Sequence, residues 1–168
     1  IDLLIIGAGP AGLTAGLYAA RGGLETVIAG KLMPGGQMAT SSLIENYPGF
    51  PDGIDGASLA MQMQQQAEKA GVQIWYDPVM ALKKQDGLFY AEVSGHSEPV
   101  CARAVILALG GQPRPLGVEG EDSLRGRGVS YCATCDGAFF RGKDVVVVGG
   151  GETAAGDALF LSRLCRSG

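Results

Sequence analysis

The sequence predicts an α/β fold with parallel strands, because three apolar runs of strand length each end at glycines. The runs lie in residues 3–6, 104–109 and 144–148, and the first and third lead directly into segments with apolar residues at helical spacing. Continuous apolar runs of this length are typical of strands that are buried on both faces of a parallel sheet. The chain is therefore expected to contain two units of strand, glycine turn and helix.

The composition agrees with an α/β protein rich in tight turns and excludes several function classes. Of 168 residues, 28 are glycine and only 18% are charged, which is unlike a disordered or coiled-coil chain. The formal net charge of −4 gives no reason to expect nucleic acid or an anionic membrane as a partner. No apolar run approaches the roughly 20 residues that a membrane-spanning helix needs, and no secretion signal is predicted.

The first strand is followed by a glycine-rich turn of the kind that binds dinucleotides. Gly7, Gly9 and Gly12 form a G-x-G-x-x-G pattern between residues 3–6 and a predicted helix. In such a turn one glycine permits the bend, one lets the backbone approach a pyrophosphate and one allows close packing of helix on strand. The start of the helix offers N–H groups and a partial positive charge to the phosphates. The second strand, residues 25–29, ends without the acidic residue that commonly binds the ribose, so that contact stays unassigned.

Two irregular segments follow and are predicted as loops. Residues 34–38 include Gly35, Gly36 and Gln37 and are not expected to be helical through their glycines, and residues 45–51 contain Asn46 and two prolines. Glycines and amides allow close approach to a planar ring and hydrogen bonds to its edge, so a binding role and a plain surface loop both stay open. The remaining predicted elements of this half are a helix over residues 56–70, short strands over 73–76, 79–82, 88–93 and 99–101, and a strand over 104–109 that returns to the first sheet.

Residues 132–136 carry the strongest sign of redox chemistry. Cys132 and Cys135 are separated by two residues and can form a compact dithiol or disulfide unit, and Asp136 follows at once. With no histidine nearby, Asp136 is the nearest group able to exchange a proton with a thiolate, which makes it the candidate acid–base residue. The alternatives are an inert pair and half of a zinc site. Zinc would need a second ligand pair, and Cys101 and Cys165 lie far apart in the sequence.

The second glycine-rich turn and a proline-rich crossover define the predicted domain organisation. Residues 149–154, Gly-Gly-Gly-Glu-Thr-Ala, follow the run at 144–148, and residues 112–115 contain two prolines typical of a linker. The predicted boundary therefore divides residues 1–112 from residues 113–168. Because a single strand and helix cannot cover both faces of a sheet, the second domain is expected to be incomplete.

These motifs together closely resemble the low-molecular-weight thioredoxin reductases of bacteria. The pattern at residues 7–12 is similar to their FAD fingerprint, residues 34–37 and 45–49 to their flavin-facing loops, residues 132–136 to their redox centre and residues 149–154 to the start of their NADPH domain. The resemblance implies the Rossmann-like three-layer FAD/NAD(P)-binding fold of the pyridine nucleotide-disulfide oxidoreductases. Residues 1–112 would then be the FAD domain, and residues 113–168 the start of the NADPH domain.

The resemblance also implies an activity, its cofactors and its partner. NADPH would reduce FAD, FAD would reduce the Cys132–Cys135 disulfide, and the dithiol would reduce thioredoxin or a thioredoxin-like protein in a cytoplasmic homodimer. Cys135 would lie nearer the flavin and Asp136 would act as the acid. The implied FAD-binding residues are Gly7, Gly9, Pro10, Ala11, Gly12, Gly35, Gly36, Gln37, Asn46, Ala108 and Gly110. The implied NADPH-binding residues are Gly149, Gly151, Glu152, Thr153 and Ala154. No metal site is expected.

Two departures from the family pattern keep other functions open. Leu109 stands where the family usually has threonine, and Gly156 replaces an acidic residue that commonly follows the second fingerprint. The change at Gly156 favours, as an alternative, a flavin thioredoxin reductase fed by ferredoxin. A second alternative, of a different class, is a non-catalytic FAD-binding fragment.

Overall fold

The computed structural model describes residues 1–31 and 33–167, which divide into two compact units, Ile1–Gln112 and Pro113–Gly168. The strands are β1 Leu3–Ile6, β2 Thr26–Ala29, β3 Gln73–Trp75, β4 Val79–Gln85, β5 Leu88–Val93, β6 Val100–Ala102 and β7 Ala104–Leu107. The α-helices are α1 Pro10–Arg21, α2 Gly56–Lys69, α3 Ala133–Asp136 and α4 Glu152–Leu161. Two 3₁₀ helices cover Gly36–Thr40 and Gly137–Phe140.

The first unit is built on a parallel sheet with the strand order β3-β2-β1-β7. β1 lies in the middle and pairs with β2 from Leu3 opposite Thr26, and with β7 from Leu3 opposite Ala104. All four residues of β1 are buried, as expected for a central strand covered on both faces. The sequence-based prediction of an α/β fold with parallel strands is therefore confirmed.

The two faces of this sheet are covered by different layers, because successive side chains of a strand point to opposite sides. Leu3 and Ile5 pack with residues of α1 and α2 on one face. Leu4 and Ile6 pack on the other face against residues of the antiparallel sheet β4-β5-β6. The result is the three-layer arrangement that the sequence predicted. Leu4 and Ile5 are fully buried, and burial of each such side chain contributes about 1.5–3 kcal/mol.

Helix α2 begins where its sequence provides a capping residue. The Asp55 carboxylate accepts hydrogen bonds from the backbone N–H groups of Ala57 (3.2 Å) and Ser58 (2.8 Å), which are two of the donors that a helix start leaves without partners. The apolar residues Leu59 and Ala67 face the core, and the predicted helix over residues 56–70 is confirmed to within one residue.

The prediction that residues 34–38 form a non-helical loop is wrong for part of the segment. A 3₁₀ helix begins at Gly36 and includes Gln37 and Met38. Gly35 precedes it with a φ of 116°, a left-handed conformation that glycine adopts without a steric penalty. One glycine therefore makes the turn that allows the helix to begin, and a short 3₁₀ helix tolerates the second.

The second unit contains α3, α4 and the 3₁₀ helix Gly137–Phe140, but the strand predicted over residues 144–148 does not form. Val146 and Val148 are 86% and 64% exposed, and the segment makes a single isolated bridge, from Asp144 to Ser167. A strand needs at least one neighbouring strand to pair with its backbone, and the described residues of this unit provide none beside this segment. The glycine turn and the helix after it do form. Among the described residues, no helix is long and apolar enough to cross a membrane.

Candidate functional site

The first glycine turn brings β1, α1 and β7 into contact. A Cβ atom at Gly12 would lie 1.9 Å from the Gly7 carbonyl oxygen, and one at Gly7 would lie 2.2 Å from the Ala108 carbonyl oxygen. Gly7 has a φ of +114°, which an L side chain rarely adopts. These two glycines are therefore required by close backbone packing. Ala108 follows β7, so the turn lies at the carboxyl edge of the parallel sheet, where α/β proteins bind their ligands.

The structure joins this turn to the second glycine-containing segment. The Gly35 N–H donates a hydrogen bond of 2.7 Å to the Ala8 carbonyl, and a Cβ atom at Gly36 would lie 3.5 Å from the Gly9 Cα atom. The sequence analysis treated the two segments separately, left the role of residues 34–38 open, and did not predict this contact. We call the set Gly7, Gly9, Gly12, Gly35 and Gly36 the glycine cluster.

Within the glycine cluster, Gly9 has the properties of a ligand-approach site. It is the N-cap of α1, no side chain caps the helix there, and the first turn contains no acidic residue. A Cβ atom at Gly9 would meet no atom within 4 Å. The helix start thus presents uncapped backbone N–H groups and its partial positive charge to open space. These features fit the pyrophosphate of a dinucleotide such as FAD.

The other residues predicted to bind FAD lie outside the glycine cluster, at different distances from it along the chain. Pro10 and Ala11 are the first two residues of α1, at the edge of the open space beside Gly9. Gln37 lies in the 3₁₀ helix directly after Gly36, and Gly110 lies three residues beyond β7 with a φ of +67°. Asn46 lies in a separate open depression formed by residues 45–51, and no hydrogen bond joins it to the glycine cluster in the described part of the chain.

The second fingerprint forms the turn and the helix start of a nucleotide site without its strand. Gly151 is the N-cap of α4, with no side-chain cap, and Glu152, Thr153 and Ala154 form the first turn of the helix. Gly149 packs on this turn, since a Cβ atom there would lie 2.9 Å from the Ala154 Cβ. Glu152 places a carboxylate near the positive end of the helix. The predicted residues are thus brought together, in an exposed turn.

The cysteine pair forms a disulfide at the start of a short helix. Cys132 and Cys135 are bonded, with their Cα atoms 5.3 Å apart. Cys132 is the N-cap of α3, and its Sγ atom accepts a hydrogen bond of 3.2 Å from the Cys135 N–H. Cys135 is exposed and Cys132 is half-buried. In this oxidised state neither sulfur is a thiolate, which is the form that binds zinc. Residues 1–31 and 33–167 contain no group of three or more His, Cys, Asp or Glu that could hold a metal ion.

Asp136 is held beside the pair by a serine that the sequence analysis did not single out. The Ser130 hydroxyl donates a hydrogen bond of 2.5 Å to Asp136 Oδ2 and accepts one of 3.1 Å from the Cys132 N–H. The Asp136 backbone N–H in turn donates to the Cys132 carbonyl at 3.0 Å. The predicted acid–base residue is therefore connected to Cys132 through two short hydrogen-bonded paths.

A buried carboxylate supports the segment that leads to the cysteines. Glu121 is 7% exposed and accepts hydrogen bonds from the backbone N–H groups of Leu116 (2.8 Å) and Gly117 (2.6 Å) and from the Tyr131 hydroxyl. The Arg125 guanidinium lies over the Tyr131 ring, 4.8 Å from its centre. The Tyr131 hydroxyl, followed by the backbone N–H groups, lowers the pKa of Glu121 to about 2. The residue next to Cys132 is thus fixed to the start of the unit.

Replacing Tyr131 with phenylalanine is expected to destabilise the second unit in a pH-dependent way. The lowered pKa means that Glu121 stabilises the folded state above its ordinary pKa, near 4.5, and that this stability is lost as the pH falls from there towards 2. We expect Tyr131→Phe to lower the melting temperature of the intact protein by roughly 2–4 °C at pH 7. The difference from wild type should shrink towards pH 2.5. The control is Tyr18→Phe, at a tyrosine that is 69% exposed. An unchanged difference at every pH would contradict this account.

The sequence contained no pattern that pointed to Glu121, Tyr131 or Ser130. Glu121 stands in a Gly-Glu-Asp sequence typical of an exposed turn, and Ser130 and Tyr131 precede the cysteines without any periodicity. Their roles depend on how the backbone folds between residues 113 and 136. The one feature of the sequence that could have drawn attention to them is that they precede Cys132 by 1 to 11 residues.

Two glycine turns of the dinucleotide-binding kind and a disulfide between closely spaced cysteines are typical of nucleotide-dependent disulfide oxidoreductases. Comparison with known proteins agrees with this class. The model of the pyridine nucleotide-disulphide oxidoreductase family matches residues 1–167. The chain belongs to this family. Its fold is that of the family's FAD-binding domain, as the sequence predicted.

The chain is similar to proteins named thioredoxin reductases. The enzyme of Bacillus subtilis (strain 168) is 48% identical over 162 residues, which cover 96% of this chain and 50% of the relative. The crystal structure of thioredoxin reductase from Streptococcus pyogenes MGAS5005 has a TM-score of 0.89 at 45% identity, over 98% of this chain and 53% of that one. The bifunctional thioredoxin reductase/thioredoxin of Mycobacterium leprae (strain TN) is 45% identical over 99% of this chain and 36% of its own length. The chain spans about half the length of the curated bacterial thioredoxin reductases that it matches.

Proposed function

We propose that the intact protein is an NADPH-dependent flavoprotein that reduces the disulfide of thioredoxin through Cys132 and Cys135. The observation that carries this proposal is the disulfide between these cysteines, followed at once by Asp136, in a chain that also contains the glycine cluster. The names of the relatives support thioredoxin as the substrate.

In this proposal, residues 1–112 hold FAD and residues 113–168 begin the NADPH domain. The pyrophosphate of FAD would lie at the start of α1, where Gly9 leaves open space, with Gly35 and Gly36 beside it. Gln37 and Asn46 would contribute amide hydrogen bonds to the ring, and Ala108 and Gly110, which follow β7, would contact FAD at the carboxyl edge of the sheet. Gly149 to Ala154 would receive the pyrophosphate of NADPH at the start of α4.

The chemistry that FAD supplies when bound is the conversion of a hydride from NADPH into two electrons for a disulfide. The Cys132–Cys135 bond takes up these electrons, the S–S bond breaks, and two thiols result once two protons have been gained. Asp136 would deliver one of these protons and recover it when thioredoxin oxidises the dithiol again, and its hydrogen bond to Ser130 beside Cys132 supports this role. The exposure of Cys135 gives a partner protein access to the pair.

The proposal includes two associations: the intact protein forms a homodimer, and it acts on a thioredoxin-like partner protein. One relative supports a direct functional connection between the two activities, because its name places thioredoxin reductase and thioredoxin in a single chain. A dimer would be tested by the molar mass of the intact protein in solution.

The electron donor is tested by mixing the intact protein with NADPH under anaerobic conditions. We expect the visible absorbance of the bound flavin to bleach within one turnover, and added oxidised thioredoxin to restore it. Gly156 motivates a competing result, since it stands in α4 where the family commonly has an acidic residue. Retention of the flavin colour with NADPH and bleaching with reduced ferredoxin would select the ferredoxin-fed reductase. A bound flavin without any disulfide reductase activity would favour a non-catalytic binding protein.

A further inference from the structure

The Ser130 hydroxyl lies among three polar groups that belong to the redox motif. Its Oγ atom is 2.5 Å from Asp136 Oδ2, 3.1 Å from the Cys132 backbone nitrogen and 3.3 Å from the Cys132 carbonyl oxygen. One of these groups is a donor and two are acceptors. Ser130 is exposed, so these contacts follow from the local fold of residues 130–136 and not from packing in a core.

A hydroxyl has one proton to donate and two lone pairs that accept, so Ser130 can donate to only one of the two acceptors at a time. When Asp136 is ionised, the shorter and charge-assisted bond to Oδ2 is favoured. When Asp136 is protonated, its own O–H can donate to Ser130 Oγ over the same distance. The Ser130 proton can then turn to the Cys132 carbonyl. In both cases the Cys132 N–H continues to donate to Oγ.

We propose that Ser130 is a positioning residue that satisfies both protonation states of Asp136 without movement of any heavy atom. This inference rests on the proposed function, in which Asp136 alternates between acid and base in each turnover. A residue that fitted only one state would have to be rearranged twice per cycle. Rotation of one hydroxyl proton replaces that rearrangement, and the carboxyl group keeps its place beside Cys132.

Reduction of the Cys132–Cys135 disulfide takes up two electrons and two protons. Bound FAD would supply two electrons to the Cys132–Cys135 disulfide and the S–S bond would break. Asp136 would give one proton and water the other, so that two thiols form. The Asp136 carboxylate that remains then accepts a hydrogen bond from the Ser130 hydroxyl. When a disulfide of the partner protein oxidises the pair, two electrons pass to that disulfide and one thiol proton returns to Asp136. The other thiol proton and one proton from water complete the two thiols of the partner, and the Ser130 proton turns to the Cys132 carbonyl.

Other titratable groups do not replace this arrangement. The 3₁₀ helix Gly137–Phe140 packs on α3 and carries no titratable side chain. Helix α4 also packs on α3 and carries Glu152 and Asp157, and neither forms a hydrogen bond or ion pair with Asp136 among the described residues. Among the described residues, the Ser130 hydroxyl is the one hydrogen-bond partner of the Asp136 carboxylate.

The test is a double-mutant cycle on the intact, flavin-loaded protein, with thioredoxin reduction as the readout. General acid–base groups typically contribute 10²- to 10⁴-fold, so we expect Asp136→Asn to lower kcat by roughly 100-fold or more. We expect Ser130→Ala to lower kcat by about tenfold in the wild-type background and by less than twofold in the Asp136→Asn background, because its effect is exerted through Asp136. Ser130→Thr keeps the hydroxyl and should recover most of the activity. Ser123→Ala is the matched control, at an exposed serine whose hydroxyl donates, among the described residues, to the Gly120 carbonyl alone.

The outcomes separate this inference from the function on which it rests. Equal losses from Ser130→Ala in both backgrounds would overturn it, because Ser130 would then act on the Cys132 backbone and not through Asp136. Full activity of Ser130→Ala would also overturn it. If the wild-type protein binds flavin and reduces no thioredoxin, the proposed function itself fails. Flavin absorbance and the melting temperature of each variant show whether a loss of activity reflects misfolding.

Discussion

Replacing either Cys132 or Cys135 with serine is expected to abolish thioredoxin reduction while the intact protein still binds FAD. Serine cannot form the S–S bond that accepts and releases the two electrons, so turnover should fall to the background of uncatalysed exchange. The residues proposed to hold FAD belong to the unit Ile1–Gln112, and the cysteines belong to the unit Pro113–Gly168. The hydrogen bonds around the pair are made largely by backbone groups and Ser130, and these remain in the serine variants.

The two other cysteines provide the matched controls for this experiment. Cys101 is an exposed residue of β6, and Cys165 donates a hydrogen bond of 3.4 Å to the Phe140 carbonyl, which a serine can replace. Cys101→Ser and Cys165→Ser should keep full turnover. The assignment of the redox centre would be wrong if Cys132→Ser or Cys135→Ser retained full turnover, or if one of the control variants lost it.

The second large effect is expected at the glycine cluster, where two neighbouring glycines should respond differently to alanine. At Gly12 the new methyl group would lie 1.9 Å from the Gly7 carbonyl oxygen, a backbone atom that cannot move without displacing β1 from α1. Overpacking of this kind costs about 1–3 kcal/mol or more. We therefore expect Gly12→Ala to lose both thermal stability and bound flavin.

At Gly9 the methyl group would meet nothing within 4 Å, and the φ of −76° suits alanine. The fold should therefore be unchanged. The methyl group would, however, occupy the space that the FAD pyrophosphate is proposed to enter, and we expect the dissociation constant for FAD to rise about tenfold, or about 1.4 kcal/mol. The measurements are flavin titration of the apoprotein and its melting temperature. Unchanged FAD affinity in Gly9→Ala would show that the dinucleotide does not bind at the start of α1.

The sequence correctly predicted a strand where an apolar run has neighbouring strands to pair with, and a turn where the glycine pattern is local. The apolar runs at residues 3–6 and 104–109 became β1 and β7, which pair with each other, and the G-x-G-x-x-G pattern became the turn into α1. Residues 145–148 are four consecutive valines and form no strand, because pairing and burial depend on neighbouring strands and not on composition alone. Local pattern therefore predicts that a segment can be a strand, while the surrounding sheet decides whether it is one.

Contacts between segments that are distant in sequence were beyond prediction. The hydrogen bond from Gly35 to Ala8 joins two motifs that the sequence presents separately. The burial of Glu121 depends on the path of residues 113–117, which no periodicity describes. Cys132, Cys135 and Asp136 were found because their chemistry is contained within five consecutive residues.

We propose that electrons pass through the Cys132–Cys135 disulfide, and mapping of the thiols in the intact protein tests this path. The protein is alkylated under anaerobic conditions, once before and once after addition of NADPH. The NADPH added is the amount that reduces the flavin plus one further equivalent. The labelled peptides are identified by mass spectrometry. We expect two new labels, at Cys132 and Cys135, and unchanged labelling of Cys101 and Cys165. Turnover of thioredoxin with the Cys132–Cys135 bond still intact in the reduced enzyme would contradict the account.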